Sequence, residues 1–170
     1  MPDIELPPFL ADPAAILASL VLGAFLLAIA VWDARTMRIP DFLSLPLIVL
    51  GLGAAILVSR LPLYEHLIGA AAGYAVLAAL AFFYQRARGQ EGLGLGDAKL
   101  LAAGGAWLGW AALPSVLLVG SFTGLGHALV RAALGGAAAR DRRIPFGPHL
   151  AFAIFFIWLI GPFGAPATWR

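Results

Sequence analysis

The sequence contains no cysteine and few charged residues, and each shortage excludes a class of protein. Without cysteine, neither a disulfide framework nor a Cys-based zinc site is possible. Charged residues make up only 12% of the chain, against 62% hydrophobic residues and a mean hydropathy of +0.93. A soluble domain would expose more charge, so the composition indicates a membrane protein that contacts the lipid bilayer.

The net charge is only +2, and the basic residues fall in loops between apolar runs. Both observations argue against a nucleic-acid-binding protein. Each membrane crossing needs about 20 mostly apolar residues, so the 170 residues have room for one helical bundle. We therefore expect a single transmembrane domain over residues 1–170, an all-α integral membrane protein with six transmembrane helices. The expected spans are residues 14–32, 40–59, 66–84, 97–112, 115–134 and 145–160.

Prolines indicate where two of the spans begin, and glycines indicate where one span packs against another helix. Pro40 and Pro145 suit the first turn of a helix, where the missing N–H costs nothing, and so predict the starts of the second and sixth spans. Gly69 and Gly73 are one helical turn apart and predict a face of the third span that packs closely against another helix.

The fourth span is short, and it reaches a workable length only if Asp97 and Lys99 lie in its first turn. Trp107, Trp110 and Pro114 follow where an interfacial turn with an aromatic belt is expected. This places Asp97 at the edge of the membrane.

The distribution of basic residues predicts the orientation, because Lys and Arg accumulate on cytoplasmic loops. In the six-span topology, loops one, three and five lie on one side of the membrane. Nine of the eleven Lys and Arg residues fall on that side, and only Arg60 and Arg170 fall on the other. Those nine are Arg35, Arg38, Arg86, Arg88, Lys99, Arg131, Arg140, Arg142 and Arg143. Both termini are therefore expected on the non-cytoplasmic side, with Asp33 and Asp97 together at the cytoplasmic face.

Two acids at the edge of hydrocarbon are costly to place and usually functional. Asp33 closes the first apolar run, and Asp97 follows Gly94 and Gly96 at the start of the fourth span. Two carboxyl groups in contact share one proton, so one can deprotonate water while the other donates to a scissile carbonyl, without a metal or cofactor. The two glycines leave room for a substrate backbone and permit unusual dihedral angles. Taken singly, Asp33 could be an ordinary loop acid and Asp97 a helix cap.

Three blocks of sequence together resemble the prepilin peptidases, the type IV leader peptidases of the GxGD aspartic class. The blocks are Asp33 with Ile39-Pro40-Asp41, then Gly94-Leu95-Gly96-Asp97-Ala98-Lys99-Leu100, then Ile144-Pro145-Phe146-Gly147-Pro148. The resemblance implies an endopeptidase of the bacterial inner membrane that removes a short basic leader from pilin precursors at the cytoplasmic face, with Asp33 and Asp97 as catalytic aspartates. It also implies a substrate-binding or site-shaping role for Ile39, Pro40, Asp41, Gly94, Gly96, Lys99, Pro145 and Gly147.

Larger members of that family have an additional N-terminal region with a Cys-based zinc site, and they methylate the new N-terminus. This chain has no cysteine. It resembles the short, peptidase-only members associated with Flp or Tad-type pili, and we expect no methyltransferase activity from it.

Several alternatives stay open at this point. Lys99 could contact a lipid phosphate or the substrate, and Asp41 could cap the second span or bind a basic leader. We expect His127 to be a packing or hydrogen-bonding residue, His66 and His149 to be isolated, and no histidine pair to have metal-ligand spacing. A small transporter would need polar groups near the midplane, whereas a non-catalytic pilus-assembly subunit would keep the bundle without needing both aspartates.

Overall fold

The computed structural model describes residues 12–89, 94–134 and 144–163, and the regular structure of these residues is entirely helical. The all-α fold class is therefore confirmed over the described part of the chain. In order, the elements are α1 (Pro13–Thr36), α2 (Asp41–Val58), α3 (Leu63–Arg88), α4 (Leu95–Leu108), a 3-10 turn (Trp110–Ala112), α5 (Leu113–Leu134) and α6 (Gly147–Ile160).

Among the residues that the structure describes, four helical segments are long and apolar enough to cross a membrane, judged by length and composition. They are Pro13–Thr36, Asp41–Val58, Leu63–Ala87 and Trp110–Leu134. Helices α4 and α6 each have only 14 residues. At 1.5 Å per residue each is about 21 Å long, which is less than the ~30 Å of a hydrocarbon core. The count of six spans therefore stays a prediction.

The helix ends follow from local chemistry. The side chain of Asp12 accepts a hydrogen bond of 2.9 Å from the backbone N–H of Ala14 and so caps α1. Helix α3 continues to Arg88, four residues beyond the expected span, because glutamine, arginine and alanine are good helix formers. It ends at Gly89, whose φ of 65° is one that glycine adopts without strain.

Helix α4 lies at the centre of the bundle, packed against α2, α3 and α6, and its residues 100–108 are all buried. On α3, Gly69 and Gly73 lie directly against the α4 backbone. A methyl group at Gly69 would overlap the carbonyl oxygen of Gly105, and one at Gly73 would lie 2.6 Å from that of Leu101. The predicted close-packing face of the third span is therefore confirmed.

Trp107 is not an interfacial residue, so that expectation was wrong. It is only 3% exposed, and its indole N–H donates a 2.9 Å hydrogen bond to the carbonyl oxygen of Leu47 on α2. Although helix α4 ends only one residue later, the side chain of Trp107 faces the interior of the bundle. Trp110, in the following 3-10 turn, is 48% exposed.

Candidate active site

One end of the bundle brings together the last turn of α1 and the first turns of α2, α4 and α6. We call it the aspartate end and define it by Asp33, Asp41, Asp97 and Gly147. Three contacts hold it together: Gly147 to Asp33, Lys99 to Asp41, and Gly96 against Ile39.

Asp33 lies in the last turn of α1 and is only 5% exposed. Its Oδ2 accepts a 3.0 Å hydrogen bond from the backbone N–H of Gly147, the first residue of α6. The first N–H groups of a helix have no partner within the helix and favour a negative charge, so this donor suits a carboxylate. A methyl group at position 147 would lie 2.6 Å from Oδ2 of Asp33. The contact therefore requires glycine.

Asp97 lies in the first turn of α4 and is half-buried. The backbone N–H of Asp97 donates a 3.1 Å hydrogen bond to the carbonyl oxygen of Gly94, which precedes α4. The carboxyl group of Asp97 also lies within electrostatic range of Asp33. The fold thus brings the two predicted aspartates to one end of the bundle, on different helices.

The two glycines before Asp97 adopt ordinary dihedral angles. Gly94 is extended, with φ −79° and ψ 143°, and Gly96 lies within α4. Gly96 instead allows close packing, because a methyl group there would lie 3.0 Å from Cβ of Ile39. Ile39 is buried, and this contact holds the link between α1 and α2 against the start of α4.

Lys99 and Asp41 form an ion pair that sequence reasoning did not predict. Nζ of Lys99 lies 2.5 Å from Oδ1 of Asp41, with the two side chains 27% and 59% exposed. The pair ties α4 to α2, so Lys99 has a protein partner. Pro40 directly precedes α2, and Pro145 is half-buried in the link before α6.

His149 is not isolated, contrary to expectation. Its Nε2 lies 3.0 Å from Nδ1 of His127, which joins α6 to α5. His66 is buried, with its two ring nitrogens bonded to the carbonyl oxygen of Ala106 and the hydroxyl of Ser59. Within the described ranges, no group of three or more His, Asp or Glu side chains could hold a metal ion.

The sequence model of the type IV leader peptidase family matches residues 20–129, well over half of the chain. The chain belongs to the type IV leader peptidase family. The resemblance found in the sequence is confirmed at this level. The matched region contains Asp33, Asp41, Asp97 and Lys99 and ends before the block that includes Gly147.

Three curated relatives are each named prepilin leader peptidase/N-methyltransferase. The protein of Aeromonas salmonicida is 45% identical over 148 residues, 84% of this chain and 49% of its own. That of Burkholderia pseudomallei is 44% identical over 137 residues, 81% of this chain and 44% of its own. That of Neisseria gonorrhoeae is 41% identical over 142 residues, 84% of this chain and 48% of its own. The chain spans about half the length of these relatives, and no solved structure gives a significant match.

Proposed function

We propose that the chain is an aspartic endopeptidase that removes the leader from a type IV pilin precursor, with Asp33 and Asp97 as its catalytic carboxyl groups. The observation that supports this most directly is their placement within electrostatic range of one another, in a chain of the leader peptidase family. The names of the relatives support a pilin precursor as the substrate class.

The proposed reaction needs one proton on the pair. The ionised carboxylate removes a proton from water, whose oxygen attacks the scissile carbonyl carbon while the protonated carboxyl donates to the carbonyl oxygen. Collapse of the tetrahedral intermediate breaks the C–N bond: the newly protonated carboxyl gives its proton to the leaving amine, and the other carboxylate takes a proton from a hydroxyl of the intermediate, so the pair again holds one proton. The N–H of Gly147 fixes one oxygen of Asp33 and leaves the other for this exchange.

The test is coexpression with pilin precursors from the same genome, with the N-terminus of the product read by mass spectrometry. Asp33→Asn and Asp97→Asn should each reduce leader removal by at least ~10³-fold while leaving membrane insertion unchanged, because each removes a proton-transfer group and no packing volume. Asp12→Asn is the matched control, since asparagine also caps α1 well.

Leader removal that persists in either variant would exclude that aspartate from the mechanism. Persistence in both would favour the non-catalytic assembly subunit.

The same mass spectra report whether the new N-terminus is methylated. We propose that these 170 residues leave it unmethylated, because they contain no cysteine for the Cys-based zinc site attributed above to methylating members. A Flp or Tad-type pilin as the substrate is likewise part of the proposal, and a panel of precursors tests it.

We further propose six spans in the bacterial inner membrane, with both termini on the non-cytoplasmic side and the aspartate end facing the cytoplasm. The nine-to-two distribution of basic residues supports this orientation. The burial of α4 among three other helices supports a short fourth span, since it need not match the lipid thickness by itself.

The absence of native cysteine makes the orientation directly measurable. In intact cells, Gln85→Cys should be shielded from a membrane-impermeant thiol reagent, and Pro62→Cys should react. Both positions are exposed, and they lie at opposite ends of α3. The reverse labelling pattern would place the aspartate end outside the cytoplasm.

A further inference from the structure

The two histidines that bridge α5 and α6 face each other through ring nitrogens. Nδ1 of His127 lies 3.0 Å from Nε2 of His149, the ring centroids are 5.1 Å apart and the ring planes make an angle of 57°. The rings therefore meet through their nitrogens and not as a stack. His127 is exposed and His149 is half-buried, so the pair is accessible from outside the bundle.

The local sequence explains why the rings meet. Gly124 and His127 are three residues apart and so share one face of α5. A methyl group at Gly124 would lie at ordinary van der Waals distance, 3.7 Å from the ring of Phe146 and 3.8 Å from that of His149. Both rings therefore lie over this face of α5, beside His127.

We propose that His127 and His149 form a two-histidine binding site for a divalent transition-metal cation of the Cu²⁺ and Zn²⁺ class. Two imidazole nitrogens bound to one metal at about 2.0 Å are separated by about 2.8 Å in the tetragonal geometry of Cu²⁺ and by about 3.3 Å in the tetrahedral geometry of Zn²⁺. The observed 3.0 Å lies between these two values. Water would supply the remaining ligands. This site is separate from the proposed peptidase chemistry, which uses no metal.

The proton between the rings does not prevent binding. In a neutral pair, one of the facing nitrogens has the hydrogen and the other accepts it. When a metal takes the place of that hydrogen, the donor ring is reprotonated from water on its outer nitrogen, so a neutral pair releases no net proton. Both facing nitrogens then present lone pairs to the metal.

A metal at this position would connect α5 to the first turn of α6. His149 is two residues after Gly147, whose N–H holds Asp33. The site therefore lies beside the aspartate end and would stabilise the helix start that positions this carboxyl group. Cu²⁺ is the better first probe, because it binds nitrogen ligands more strongly than Zn²⁺.

The experiment uses the full chain in a non-ionic detergent with any affinity tag removed, and it measures Cu²⁺ and Zn²⁺ binding by calorimetry. Electron paramagnetic resonance of the Cu²⁺ complex counts the bound nitrogens. The matched control combines His127→Ala with Ala128→His, which keeps three histidines but rotates one by about 100° around α5. His127→Gln and His149→Gln test each ligand singly.

We expect a spectrum with two nitrogen ligands in the wild type and one in each single variant. Cu²⁺ affinity should fall on the order of tenfold or more in the single variants and in the shifted control, because the second ligand no longer acts at high effective concentration. Equal affinity in the wild type and the shifted control, with the control folded by circular dichroism, would overturn the proposal. A single bound nitrogen in the wild type would also overturn it.

Discussion

Glycine has different consequences at the α3–α4 contact and at the aspartate end. Inside the bundle, Gly69 and Gly105 allow two helix backbones to touch. At the aspartate end, Gly147 allows a backbone N–H to reach the carboxyl group of Asp33. The first contact is a matter of helix packing, and the second is a matter of carboxylate position. Substitutions in the two regions should therefore change different measurable quantities.

Among substitutions that change these contacts and keep both aspartates, the largest effect is expected from Gly147→Ala. Its new methyl group would lie 2.6 Å from Oδ2 of Asp33, so the carboxyl group must move. A displacement of about 1 Å in a reacting group costs on the order of 100-fold in rate. We expect leader removal to fall by that factor, measured as initial rate on purified precursor, with only a small change in the thermal unfolding midpoint.

Gly53→Ala on α2 is the control, because no atom lies within 4 Å of the new methyl group. It should leave both the rate and the unfolding midpoint near those of the wild type. Normal cleavage by the Gly147→Ala variant would show that the contact with Asp33 is not needed for activity. The proposed difference between the packing glycines and Gly147 would then be wrong.

Gly105→Ala tests the interior contact. Its methyl group would overlap the backbone of Gly69, and backbone atoms of packed helices cannot move aside as the end of a side chain can. Overpacking of this kind costs about 1–3 kcal/mol. Reversible unfolding in mixed micelles should show this loss, while the rate per folded molecule stays near normal. A variant with full stability but little activity would contradict the packing interpretation.

Much of the fold was predictable because its main signals are local. Apolar runs set the helix positions, and Pro40 marked the start of α2. The spacing of Gly69 and Gly73 predicted close packing before any partner helix was known. The error at Trp107 arose because an aromatic residue near a helix end can face either the interface or the interior. Its hydrogen bond to Leu47, 60 residues away, decides which.

Residues of the candidate site could be named from the sequence, but the contacts between them could not. A recognisable motif surrounds Asp97, but no local pattern reveals a contact between distant residues. Gly147 is 114 positions from Asp33, and Lys99 is 58 positions from Asp41. The signal available in the sequence was that Lys99 and Asp41 are opposite charges in the first turns of two helices expected at the same membrane face.

The smallest effect is expected from breaking that ion pair, and it shows whether every polar contact at the aspartate end matters for catalysis. Asp41 is 59% exposed, and exposed ion pairs contribute about 0–1 kcal/mol, equivalent to no more than about fivefold in rate. Lys99→Met and Asp41→Asn should each reduce leader removal within that limit. The double variant should be no worse than either single one, because both remove the same tether between α4 and α2. A different result would contradict this interpretation: if Asp41→Asn abolished cleavage and Lys99→Met did not, Asp41 would have to bind the substrate directly. Lys99 would then only occupy Asp41 until the substrate arrives.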